Sequence, residues 1–183
     1  MNTALVLIDI QNDYFPGGKN ELFEADRCAD RAAEALRLFR ERGLPVVHVQ
    51  HVSKSADATF FLPDTEGVRI HERVRPIAGE PVVVKHFPDG FLHTELKEIL
   101  AARGVERLAV CGMMSHMCVD TTVRAAMAQG YSTVLLLGDA CTTKDLAWNG
   151  ERIPARTVHA AFMAALHGTF ATVLDTGELE EAL

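Results

Sequence analysis

The sequence predicts an α/β chain: a three-layer, doubly wound fold in which a six-stranded parallel sheet is flanked by helices. Three observations carry this reading. Six short apolar runs have strand length, the stretches between most of them repeat with helical period, and most runs are continuously apolar where a half-exposed strand would alternate. The length of 183 residues, 48 % of them hydrophobic and 23 % charged, fits one domain, 1–183, with a sizeable core.

The strand runs are "ALVLID" (4–9), "PVVHVQ" (45–50), "PVVVK" (81–85), "RLAVCG" (107–112), "STVLLLG" (132–138) and "FATVL" (170–174). Residues 26–42 place Ala29, Ala32, Leu36 and Phe39 on one helical face, with Gly43 behind them as a cap. Thr94 can cap a helix carrying Leu96, Ile99 and Leu100 that ends near Gly104. Val119, Thr122, Val123, Ala126 and Met127 share a face closed by Gly130, and Pro154 suits the first turn of a last helix with Val158, Phe162, Ala165 and Leu166. Segment 53–79 lacks clear periodicity and is expected to be an active-site loop or lid.

Charge and leader signals narrow the function. With 18 basic against 25 acidic residues the formal charge is −7, and no dense basic run offers a nucleic-acid surface. The opening "MNTALVLIDIQND" lacks a basic leader region and no apolar stretch nears the ~20 residues of a membrane span, so a cytoplasmic protein without membrane partners is expected. Cys28, Cys111, Cys118 and Cys141 are dispersed and form no CxxC pair.

In a doubly wound sheet built by right-handed crossovers, ligands bind beyond the carboxyl ends of the strands. Three reactive side chains fall there: Asp9 ends the first run, Lys85 the third, and Cys118 follows the fourth at a helix start. A thiol in a first helical turn meets the positive end of the helix dipole, which favours thiolate, and the same turn's N–H groups can receive an oxyanion. Asp9 can take the thiol proton as an adjacent base, and Lys85 can counter both negative groups. Taken singly, each has a plainer reading: a core thiol, a turn-capping carboxylate, a solvated lysine. Their coincidence at one sheet edge points to acyl-transfer hydrolysis.

These residues resemble the isochorismatase-like cysteine hydrolase superfamily over nearly the whole chain. "LVLIDIQNDYF" (5–15) is similar to its opening strand and aspartate turn, and "VVVKHFPDGFLHTEL" (82–96) to its lysine strand and following helix. "VCGMMSHMCVDTTVRAA" (110–126) resembles the G-x-x-[TS]-x-x-C-V-x-x-T nucleophile motif, and "LLLGDA" (135–140) the next strand. The resemblance implies a Cys118, Asp9, Lys85 triad, a cis peptide between Met113 and Met114, and an oxyanion hole from the backbone N–H groups of Met114 and Cys118. It also implies a homodimer or homotetramer acting on a small-molecule substrate.

Two departures refine that expectation. Nicotinamidases of the superfamily hold a metal after the second strand, but "VVHVQHVSKSADATFFLPDTEG" has no Asp-x-His pair, and His48 and His51 fall on opposite faces of an extended segment. No metal and no cofactor are therefore expected. Retention of Cys118 favours covalent cleavage of an amide-like C–N bond over acid catalysis on isochorismate, which stands as the alternative beside a non-catalytic ligand-binding homologue. Tyr14 and Phe87 adjoin triad positions in sequence and are expected to line the pocket, with Trp148. Asp139 is expected to shape the loop "CTTKD" through backbone hydrogen bonds, and Met113, Met114 and Met117 to pack around the nucleophile turn.

Overall fold

The computed structural model describes all residues 1–183. In chain order it contains β1 (Thr3–Ile8), α1 (Ala25–Glu41), β2 (Val46–His51), β3 (Val82–Lys85), α2 (Leu96–Ala102), β4 (Arg107–Met113), α3 (Asp120–Ala128), β5 (Val134–Thr142), β6 (Leu146–Trp148), β7 (Glu151–Ile153), α4 (Ala155–Leu166), β8 (Thr172–Leu174) and α5 (Leu179–Ala182). Six strands form one sheet in the order β3-β2-β1-β4-β5-β8, and every neighbouring pair in it is parallel. The chain runs outward from β1 to β3, then returns to lay β4 against the other side of β1. That reversal makes the β1/β4 boundary the topological switch point, where a crevice opens beyond the strand ends.

Burial follows position in the sheet. All six residues of central β1 are buried, as are the apolar faces of α1 (Cys28, Ala29, Ala32, Ala35, Leu36, Phe39) and α3 (Val123, Ala126). Right-handed crossovers put α1 on one face and α2, α3 and α4 on the other. At the β3 edge the continuously apolar "VVV" does not mean cover on both sides: Val83 and Lys85 are buried while Val82 and Val84 are exposed. No helix is long and apolar enough to cross a membrane.

Three boundaries depart from the sequence reading. β1 stops at Ile8, so Asp9 is the first residue beyond the strand, with φ 51°. β5 continues through the polar "GDACT" to Thr142, because β4 stays beside it as far as Met113, which pairs with Thr142. The hairpin β6–β7 was not anticipated, although "WNGE" holds the Asn-Gly pair that favours a two-residue turn; Asn149 (φ 47°) and Gly150 (φ 80°) both take the left-handed conformation that turn needs.

Segment 53–79 is tied down. Gln11 donates to the Val68 carbonyl (2.7 Å), Asn12 to the Glu66 carbonyl (2.9 Å), and Phe61 N–H donates to the Asp13 carboxylate (2.6 Å). Its only regular piece is a 3-10 turn, Glu72–Val74. At its far end Glu80 binds Arg40 of α1 in a two-toothed pair (2.7 and 2.8 Å), accepts the Ile77 N–H (3.1 Å) and meets His48 Nε2 (3.0 Å). Burial alone would raise the Glu80 carboxyl, but these partners more than offset it and bring it down to about 2.

Two expected outcomes follow from this packing. Gly112 lies in β4 with φ 138°, and a Cβ there would meet the Ile8 carbonyl oxygen at 2.1 Å. Gly112→Ala must push β1 and β4 apart beside Asp9 and is expected to cost about 2–4 kcal/mol in urea unfolding. Because the folded Glu80 carboxyl lies below its ordinary value of 4.5, its stabilisation is complete above that pH and is lost as pH falls towards 2. Thermal midpoints measured across that window should fall more steeply for the wild type than for Glu80→Gln.

Candidate active site

The three reactive residues meet at the switch point. Lys85 Nζ forms an ion pair with Asp9 Oδ2 at 2.8 Å and lies 3.2 Å from Cys118 Sγ. Asp9 and Lys85 are both 0 % exposed, and Cys118 is 6 % exposed. Register explains how an edge-strand lysine reaches a central-strand aspartate. Lys85 pairs with His51 at the end of β2, so its four-carbon stem crosses that strand, whose neighbour is β1. The ammonium also donates towards His51 Nδ1 (3.0 Å) and the Phe87 carbonyl (3.1 Å).

Cys118 does not occupy the first turn of α3. It lies in a wider, π-helical turn, Ser115–Val119, that precedes it, and the Met114 carbonyl accepts the N–H groups of Met117 (3.0 Å) and Val119 (3.3 Å). Such one-turn π segments are frequent at functional sites. The Met113–Met114 peptide is cis. Ser115, fully buried, bonds through its hydroxyl to His159 Nδ1 on α4 (2.8 Å), which ties the turn to the next helix.

The resting charge differs from the sequence expectation of a thiolate. Burial, then the Asp9 carboxylate, push the Cys118 thiol up, and Lys85 pulls it only part of the way back. An Asp carboxylate, a Lys ammonium and a neutral thiol sum to zero; ionising the sulfur would leave a net negative charge in a closed site. Both effects favour a neutral Cys118 thiol beside the Asp9 carboxylate. For Lys85, burial alone would lower the ammonium, yet Asp9 and Cys118 outweigh it and the net direction is upward.

Among groups able to hold a metal, Asp9, His51 and Cys118 bring their donor atoms within 4.8 Å of one another. Lys85 Nζ lies within 3.2 Å of all three, so an ammonium supplies the positive charge they share. His48 points elsewhere, to Glu80, as its opposite strand face requires.

The other expected residues divide. Phe87 is half exposed and lines a cleft of about 730 Å³ with His51, Ser53, Lys54, Ser55, His86 and His93; its own carbonyl touches the Lys85 ammonium. Tyr14 is buried against Phe60 and Phe61, with its hydroxyl pushed well up by burial and then by the charge of Asp9. Trp148 is 73 % exposed on the β6–β7 hairpin and is not a wall of this cleft, because the hairpin projects it into solvent. Asp139 accepts the N–H and hydroxyl of Thr176 (2.8 and 2.7 Å) instead of shaping "CTTKD", since β5 runs past it to Thr142. Cys28 and Cys141 line a second cavity of about 250 Å³; neither it nor the larger cleft has Asp9, Lys85 or Cys118 among its walls.

His51 and Gln11 were missed as site residues. The Gln11 amide grips the backbone of His51 on both sides, accepting its N–H at 2.8 Å and donating to its carbonyl at 2.9 Å. Parallel register was the available signal: the end of β2 must lie beside the end of β3.

Comparison with known proteins agrees with this architecture. A family model described as the isochorismatase domain matches residues 3–178. The uncharacterized isochorismatase family protein YddQ of Bacillus subtilis (strain 168) is 52 % identical over 176 residues, 96 % of this chain and 97 % of that protein. A crystal structure of an isochorismatase-family protein from Oleispira antarctica superposes with a TM-score of 0.93 at 45 % identity, covering 97 % of this chain and 95 % of that one. The N-carbamoylsarcosine amidase of Thermoplasma acidophilum gives 0.82 at 27 % identity, with 98 % and 99 % covered. From the first strand to the turn after β8, the chain is a member of the isochorismatase family of hydrolases.

Proposed function

We propose that the protein is a cysteine hydrolase that cleaves a small amide or related C–N bond through Cys118, Asp9 and Lys85. The single observation that carries this reading is the buried contact of one ammonium with both a carboxylate and a thiol, at the switch point of the sheet. A carboxylate beside a neutral thiol is a base waiting for its proton, and the pair can exchange that proton without changing the net charge of the site.

The steps balance as follows. Asp9 takes the Cys118 proton as Sγ bonds to the substrate carbonyl carbon, and the backbone N–H groups of Met114 and Cys118 receive the oxyanion. The C–N bond breaks as Asp9 returns the proton to nitrogen, so ammonia or an amine leaves and a thioester remains. Water then attacks the thioester while Asp9 takes a proton from it. The C–S bond breaks, the acid departs, and the sulfur recovers its proton from Asp9. Lys85 stays charged throughout and stabilises whichever neighbour is negative. Similarity to a protein named N-carbamoylsarcosine amidase supports an amide or carbamoyl substrate. The cleft beside Phe87 has the size of a small-molecule site and reaches the three residues through His51, since none of Asp9, Lys85 and Cys118 is among its walls.

A panel of small amides, carbamoyl compounds and isochorismate, assayed for ammonia, amine or acid release, tests the reading. At least one C–N substrate should be turned over, and Cys118→Ala should lower that turnover by roughly three orders of magnitude or more. Turnover of isochorismate that survives Cys118→Ala would instead mean acid catalysis.

A further inference from the structure

The surroundings of Lys85 contain more acceptors than an ammonium can satisfy. It has three N–H groups. Four acceptors stand within reach: Asp9 Oδ2 at 2.8 Å, His51 Nδ1 at 3.0 Å, the Phe87 carbonyl at 3.1 Å and Cys118 Sγ at 3.2 Å. Two of these change charge during the proposed reaction, since Asp9 gains and returns a proton while Cys118 loses its proton and then carries the acyl group. The other two stay neutral.

We propose that His51 is a positioning residue for Lys85, its Nδ1 acting with the Phe87 carbonyl to hold the ammonium in place while negative charge passes between Asp9 and Cys118. This rests on the cysteine-hydrolase reading above. In the resting site the neutral thiol is the weakest acceptor, so the three N–H groups go to Asp9, His51 and Phe87. When the sulfur becomes anionic it draws one of them. When the sulfur is tied up in a thioester, that N–H has a neutral partner to return to. Without one, the ammonium would either follow the moving charge or leave a buried N–H unpaired.

His51 is built for such a role. Burial, followed by the adjacent Lys85 charge, pushes its imidazole down to about 4, so at neutral pH the ring is uncharged and Nδ1 can accept with the proton on Nε2. Asp9 and His86 are the other charged or titratable groups acting on it, with Cys118 close by. Its backbone is fixed by two hydrogen bonds with Gln11, one donated to the Gln11 amide oxygen and one accepted from the amide nitrogen, which also reaches Val68, so the turn that begins at Asp9 sets the position of the imidazole. The Phe87 acceptor is a backbone carbonyl, which leaves His51 as the neutral acceptor that side-chain substitution can remove.

Steady-state kinetics of His51→Leu and His51→Asn, on the C–N substrate found for the wild type, test this. His51→Leu removes the acceptor and is expected to lower kcat about ten-fold while KM stays within about two-fold. His51→Asn can place an amide oxygen where Nδ1 stood and is expected to recover most of the loss. Should His51→Leu fail to fold, His51→Gln serves in its place, because its longer amide reaches the position of Nε2; it is expected to lose kcat similarly. A raised KM with unchanged kcat, or His51→Asn no better than His51→Leu or its His51→Gln substitute, overturns the proposal. Activity that depends on Cys118 but ignores His51 overturns this proposal alone, whereas activity that survives Cys118→Ala overturns the cysteine-hydrolase reading with it.

Discussion

Everything at the crevice depends on one ammonium buried without access to water. Lys85 and Asp9 are an ion pair with no exposed surface, and taking two such charges out of solvent costs several kcal/mol for each before their attraction is counted. Two well-packed apolar side chains would stabilise the same sheet at least as well. In the proposed function the pair serves a third group, the Cys118 thiol, which burial and then the Asp9 carboxylate push up while Lys85 pulls it partly back. The fold serves that arrangement: β1 ends at Ile8 so that Asp9 turns out of the strand, and β3 ends with a side chain long enough to cross β2. Gly112 lets β4 press against Ile8 beside them.

Neutrality of the trio has a chemical consequence. A thiolate made by losing a proton to solvent would be an uncompensated buried charge, but a thiolate made by passing its proton to Asp9 leaves the sum at zero. In the proposed reaction the same carboxyl group then holds the proton that an amine leaving group requires. An amide nitrogen is a poor leaving group unless protonated, so that proposal links nucleophile formation and leaving-group protonation through one oxygen acid. This joins the charge arrangement to the hydrolytic character of the family.

Much of the frame was legible in the sequence because strand and helix signals were strong and separate. Each of the six apolar runs became a strand of the sheet, and the closeness of Asp9, Lys85 and Cys118 was foreseen by placing a strand end, a second strand end and a helix start at one sheet edge. What could not be read depended on neighbours distant in sequence. Thr142 is a strand residue only because Met113 lies beside it, and Trp148 looked like a pocket wall only until the hairpin turned it outward. The direction in which the Cys118 thiol is pushed depends on such neighbours too. Helix position argues for a thiolate, but burial and then the Asp9 carboxylate push the thiol up, and the depth of that burial comes from packing that the local sequence does not carry. His51 was weighed only as a metal ligand beside His48, since its partner Lys85 lies 34 residues away in sequence.

Ionisation of Cys118 is the most direct measure of whether these charges are coupled as described. Thiolate absorbance in the ultraviolet, titrated with pH and corrected with Cys118→Ala for the three other thiols, isolates that sulfur. In the wild type it should ionise only above the ordinary thiol range near ~8.5. In Asp9→Asn, where the sulfur no longer faces a carboxylate and keeps the Lys85 ammonium, ionisation should move to clearly lower pH. A Cys118 already ionised at neutral pH in the wild type, or one whose midpoint ignores the loss of the Asp9 charge, would contradict the account.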